Sequence, residues 1–203
     1  MADHPAATGG IPGRQARVLR RRVLAGLLAV PGLAEAAGGE EAWALLRAGG
    51  VVALIRHARA PGFGDPPGFD LARCETQRNL SGEGREQARR LGEAFRAERV
   101  PVGRVISSGW CRALETGRLA FGDGVAREPA LDSFFEDRAE GPRQSAAMRA
   151  LAEGWRGRAD CLVCITHQVN VTALTGVVPV EGEIVVAAAR AGRLEVLGRG
   201  VVR

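Results

Sequence analysis

Val51-Val52-Ala53-Leu54-Ile55 is an unbroken apolar run rich in β-branched residues, and Arg56-His57-Ala58 follows it directly. Such a run predicts a strand buried on both faces, as in a parallel sheet. Before it, Gly49-Gly50 stops a predicted short helix, Glu40–Arg47, with Trp43 and Leu46 inward. Cys161–Ile165 is a second fully apolar run, and Thr166-His167 follows it in the same way. Arg104–Ile106 predicts a third strand, entering Ser107-Ser108. Ser81 can cap a helix on which Ala88, Leu91 and Phe95 recur at helical spacing. Further helices are expected over residues 110–120, around Met148, Leu151, Ala152 and Trp155, and over Gln168–Thr175, closed by Gly176. A short strand is expected near Ala126–Glu128. Ile184–Ala189 and Leu194–Leu197, split by Ala191-Gly192, suggest edge strands forming a hairpin. Strands alternating with helices predict an α/β fold: a three-layer α/β/α sandwich with a mostly parallel central sheet.

In such sheets ligands bind beyond the carboxyl ends of the strands. Besides His4, the only histidines are His57 and His167, each just past a buried strand. A third strand end carries Ser107-Ser108-Gly109-Trp110-Cys111-Arg112, which puts Arg112 in the first turn of a helix. A helix N-terminus favours an anion through its free amides and dipole. An arginine added there makes a phosphate site. A zinc site on His57 and His167 is disfavoured, because Arg56 and Arg112 in the same pocket would repel a cation.

Three segments carry a resemblance. Leu54-Ile55-Arg56-His57-Ala58, Ser107 to Thr116, and Thr166-His167-Gln168-Val169-Asn170 resemble, in order and spacing, the signatures of the histidine phosphatase superfamily, phosphoglycerate-mutase-like branch 1. The resemblance runs from about Val51 to the C-terminus. It departs from the usual pattern at Ala58, where the family has Gly. It implies a phosphatase hydrolysing a phosphomonoester or phosphoramidate, with no cofactor and no metal. His57 would be the nucleophile, and Arg56, Arg112 and protonated His167 would bind the phosphoryl oxygens. The family commonly places its acid shortly after a leucine; here that place reads Leu131-Asp132-Ser133, and Ser133 cannot donate as an acid does. Glu136 is the first alternative acid, with Asp132, Asp137 and the more distant Asp65 behind it. A phosphoglycerate-mutase-like phosphotransferase and a non-catalytic phosphate-binding module on the same fold are the rival readings.

The chain has 203 residues and a formal net charge of +5. Residues 1–36 hold Arg14, Arg17, Arg20, Arg21 and Arg22 against Asp3 and Glu35, so most of that excess lies at the N-terminus. All basic residues are arginine and no basic block follows, which makes no case for nucleic acid. Arg20-Arg21-Arg22, the weakly apolar Val23–Leu33 and Ala34-Glu35-Ala36 have the order of an export signal of twin-arginine type. Cleavage after Ala36 would leave 37–203 as the phosphatase domain, periplasmic or otherwise exported, with no stable membrane insertion; the alternative is a cytoplasmic protein. Cys161 and Cys164 should point to opposite faces of one strand. Cys74 and Cys111 are a disulfide if the chain is exported, or two free thiols; spacing does not decide. The expected partner is a small phosphorylated substrate such as a sugar phosphate. Loops 59–78 and 131–143, with Phe63, Phe69, Phe134 and Phe135, are expected to rim the site.

Overall fold

The computed structural model describes residues 31–202, with side chains from residue 39 onward. The leader reading for 1–30 lies outside the described residues. Helix α1 spans Pro31–Ala48, so it starts well before the predicted Glu40 and includes the proposed cleavage site. It is followed by β1 (Val52–Arg56), α2 (Gly82–Ala97), β2 (Val102–Ser107), α3 (Cys111–Phe121) and β3 (Ala126–Arg127). Then come α4 (Gly141–Glu153), β4 (Cys161–Thr166), α5 (Gln168–Thr175), β5 (Glu183–Arg190) and β6 (Arg193–Val201). The described residues form one sheet of order β3-β2-β4-β1-β5-β6. β3, β2, β4 and β1 pair in parallel, while β5 runs antiparallel to β1 and β6 antiparallel to β5.

Alternation along the central strands builds both outer layers. Val52, Leu54, Leu162 and Cys164 face a core shared with Met148 and Ala152 of α4 and Val171 and Leu174 of α5. Ala53, Ile55, Cys161, Val163 and Ile165 face the other side, toward Ala42 and Leu46 of α1, Leu91 and Phe95 of α2, and Ala113 and Ala120 of α3. Cys161 and Cys164 are therefore free, buried and on opposite faces. Gly92 allows α2 and α3 to touch: a Cβ there would lie 2.1 Å from the Ala120 carbonyl oxygen.

Two expectations change. The hairpin is real, turning at Ala191-Gly192 where both residues have positive φ, but of its two strands only β6 lies at a sheet edge. β5 is inside the sheet, which explains why Ile184, Val185, Val186 and Ala187 are all buried. The polar stretch 131–143 is not wholly loop. It holds a 3-10 turn at Arg138–Glu140, and α4 opens at Gly141 with Pro142 in its first turn, where a missing N–H costs nothing.

Candidate active site

The sheet brings its three candidate strand ends side by side. Arg56 pairs with Thr166 and Ser107 with Ile165 across the ladder. The ladder continues one step further, with His57 N–H donating to Thr166 O (2.9 Å) and Ser108 N–H to Ile165 O (2.9 Å). His57 and His167 thus leave neighbouring strands with ring centroids 5.4 Å apart. They share a pocket of about 410 Å³ with Arg56, Arg112, Arg78 and Trp110.

His57 is 2% exposed. Its Nδ1 lies 2.8 Å from Ala58 O, an atom that can only accept, so Nδ1 carries the proton and Nε2 keeps its lone pair. The backbone after it is held by α3: Ala58 N–H donates to Thr116 Oγ1 (3.0 Å), and that hydroxyl donates to Arg112 O (2.7 Å).

His167 Nε2 lies 2.8 Å from Ser108 Oγ. The same hydroxyl lies 3.2 Å from Asp132 Oδ1 and receives Trp110 N–H at 3.2 Å. Asp132 also accepts Gly109 N–H (2.6 Å) and pairs with Arg127 (3.2 Å). The ionised carboxylate can only accept, so Ser108 gives its single proton to Asp132 and accepts from His167 Nε2–H. His167 Nδ1 is left without a partner among the described residues.

The two arginines are each tied down on one side. Arg56 Nη1 donates to Gln168 Oε1 (3.1 Å) and Pro179 O (3.0 Å), and Glu181 lies 3.8 Å from Nη2. Arg112 pairs with Asp65 at 2.8 Å. The Nε atoms of both arginines are buried with no hydrogen-bond partner among the described residues. Buried donors are rarely left unmatched, so two in one pocket mark a place for an acceptor-rich group.

Residues 52–163 match the family model of the histidine phosphatase superfamily (branch 1). The chain belongs to this superfamily. The matched segment contains Arg56, His57 and Arg112 and stops before His167, which the parallel pairing of β4 with β1 brings to the pocket. No curated protein matches the chain. Among solved structures it is similar to the protein histidine phosphatase SixA complexed with tungstate, at 18% identity and TM-score 0.53, covering 74% of this chain and 96% of that one. It is also similar to a phosphoserine phosphatase from Entamoeba histolytica in complex with 3-phosphoglyceric acid, at 14% identity and TM-score 0.54, covering 75% and 98%. Bacillus stearothermophilus YhfR gives 17% identity and TM-score 0.54, covering 75% and 98%. At these identities the likeness shows a shared fold.

In this histidine phosphatase fold the pocket's own charges act on both histidines. Burial, then the Arg112 guanidinium, pushes His57 well below the usual histidine value, with Arg78 and Arg56 adding to this and the Ala58 bond opposing it. Burial, then His57, then Arg112, Arg78 and Arg56, does the same to His167. These groups disfavour the protonated form of His167 that the resemblance implies. A phosphoryl dianion in the pocket would supply the opposing charge that protonation needs. One consequence is measurable in folding. Both histidines titrate near 6.5 in the unfolded chain and lower in the folded one, so below about pH 6.5 the unfolded state binds more protons. Urea melts are expected to show stability falling as pH drops from 6.5 toward 5, and little change from 6.5 to 8. A profile flat throughout would refute the assignment.

The four carboxylates weighed as acids separate clearly. Asp132 is buried against Ser108 and Gly109, and Asp65 is bound to Arg112. Asp137 caps the 3-10 turn by accepting Ala139 N–H (3.1 Å). Glu136 is exposed, lines the pocket, and has no hydrogen-bond or ion-pair partner among the described residues. Phe63, Phe134 and Phe135 also line the pocket, and Phe63, 86% exposed, stacks edge-on to Phe135. Phe69 does not line it and packs on Trp110. Arg78 also lines the pocket, and nothing in the sequence marks it as a site residue. Its guanidinium donates to Gly64 O and Ala60 O, contacts with no signature in local spacing. Cys74 and Cys111 form a disulfide that ties the Gly/Pro-rich loop to the residue before Arg112.

Proposed function

We propose that this superfamily member is a metal-independent phosphatase that cleaves a small phosphomonoester or phosphoramidate through a phosphohistidine on His57. The observation that carries this reading is a buried imidazole with its Nε2 lone pair free beside two arginines whose Nε–H donors have no partner. His57 Nε2 forms a bond to phosphorus as the bond to the leaving oxygen breaks in line. Arg56 and Arg112 hold the non-bridging oxygens through charge-assisted hydrogen bonds, and His167, protonated as the dianion binds, donates a further one from Nδ1–H. Glu136 protonates the leaving oxygen, a reading supported by its lining the pocket while Asp65, Asp132 and Asp137 are each committed elsewhere. Water then attacks phosphorus and releases phosphate and free His57. Three-dimensional relatives with a protein histidine phosphatase and a phosphoserine phosphatase among them support this class of reaction.

The test is release of phosphate from 4-nitrophenyl phosphate with a chelator present. Turnover unaffected by the chelator is expected. Loss of turnover on chelation, or transfer of the phosphoryl group only to a phosphorylated acceptor, would sink the reading. We also infer that residues 1–36 are a cleaved export signal, a reading supported by the Cys74–Cys111 disulfide, since such bonds persist in oxidising compartments. A protein recovered from cells with residues 1–36 intact would contradict it.

A further inference from the structure

In the structure Asp65, the outlying acid candidate, has a particular set of neighbours. Its Oδ1 accepts from Arg112 Nη1 (2.8 Å) and from Arg78 N–H (2.9 Å). Its Oδ2 accepts from Arg112 Nη2 (3.1 Å) and Trp110 Nε1–H (3.0 Å). The two side chains are nearly sealed from solvent, at 4% exposure for Arg112 and 6% for Asp65.

On the reading that His57 is the nucleophile, we propose that Asp65 is a positioning residue: it grips Arg112 end-on and so turns the guanidinium's other edge toward the phosphoryl group. The argument is a count of donors. A guanidinium has five N–H groups in one plane. Asp65 takes one from Nη1 and one from Nη2, and Arg78 O takes the second from Nη1 at 3.3 Å. What remains is Nε–H and the second Nη2 hydrogen, which lie on one edge. That Nε is buried and unmatched. The free edge can take two oxygens of a phosphoryl group side by side, the bidentate geometry arginine suits.

The loop carrying Asp65 is fixed to the helix end that carries Arg112. The disulfide joins Cys74 to Cys111, and Gln77 Oε1 accepts Cys111 N–H at 2.9 Å. Burial pushes the Asp65 carboxyl up, but the bonds from Arg112, Arg78 and Trp110 outweigh it and hold it below the ordinary carboxylate range. A carboxylate so held has no proton to give a leaving group.

Asp65→Asn in the full chain keeps the size and removes the charge. It is compared with wild type on 4-nitrophenyl phosphate, whose leaving oxygen needs no proton, and on glycerol phosphate, whose leaving oxygen does. The expected result is the same fall in kcat/KM on both, about tenfold to a hundredfold, and tungstate binding about tenfold weaker by calorimetry. A loss confined to glycerol phosphate, or unchanged tungstate affinity, overturns the proposal. The tungstate comparison needs no turnover, so failure of the phosphatase reading leaves it decisive. Should Asp65→Asn fail to fold, the double variant Asp65→Asn/Arg112→Met removes both partners of the buried pair and leaves no charge unpaired. Its tungstate affinity is expected to equal that of Arg112→Met alone, and a further loss in the double variant overturns the proposal.

Discussion

His57→Ala is expected to lower phosphate release on the order of ten-thousandfold or more, because on the proposed mechanism it removes the covalent route and not one contact among several. The loss should be chemical and not structural. His57 makes one local side-chain bond, to Ala58 O, and the ladder bond at this position is made by its backbone N–H. Arg56, Arg112 and His167 remain to hold an oxyanion, so the variant should bind tungstate within about tenfold of wild type. Wild-type protein quenched during turnover of labelled substrate should carry label, and the variant none. On the proposed mechanism the neutral imidazole attacks, and burial with three neighbouring arginines favours that form by pushing the His57 pKa well below the usual histidine value. The acid limb of kcat/KM for wild type is therefore expected below pH 6.5. A variant within tenfold of wild-type turnover would remove His57 from the mechanism.

Much of this pocket is legible in the sequence because strand ends are local facts. The apolar runs Val51–Ile55 and Cys161–Ile165 set which residues leave the sheet, and parallel pairing then brings His57 and His167 together. Arg112 is readable for a similar reason, since it lies in the first turn of a helix that follows a strand. The loop residues are not readable in this way. Asp65 and Arg78 are 13 residues apart and meet Arg112 only through the path of a loop with positive φ at Gly62, Gly64 and Gly68. No periodicity records such a path. Asp132 shows the same limit from another side. It follows Leu131 where a search for an acid would look, yet its carboxylate is used by Gly109 N–H and Ser108. The disulfide stays open in the sequence because pairing depends on a distance, 5.6 Å between Cα atoms, that only the fold supplies. β5 is misplaced at the edge because its run of apolar residues is read without knowing that β1 pairs with it.

The second large effect is expected from Arg112→Lys, a change that keeps the charge and alters only its geometry. Arg112 serves Asp65 with two N–H groups and Arg78 O with a third, and it has an edge left for phosphate. A lysine ammonium has three donors radiating from one atom. If it pairs with Asp65, it has no second edge, and if it turns to the phosphoryl group, it leaves Asp65 buried without its partner. Either arrangement removes donors from the developing charge, so kcat/KM should fall by about a hundredfold to a thousandfold. Tungstate should bind more weakly in parallel. Arg56→Lys makes a useful contrast. The Arg56 side chain is 20% exposed, and its nearest carboxylate, Glu181, lies 3.8 Å away, so a lysine there leaves no tightly paired buried acid behind. Its loss should be the smaller of the two. Equal and mild effects, within tenfold of wild type at both positions, would mean that positive charge alone serves the site and that the free Nε edges carry no special role.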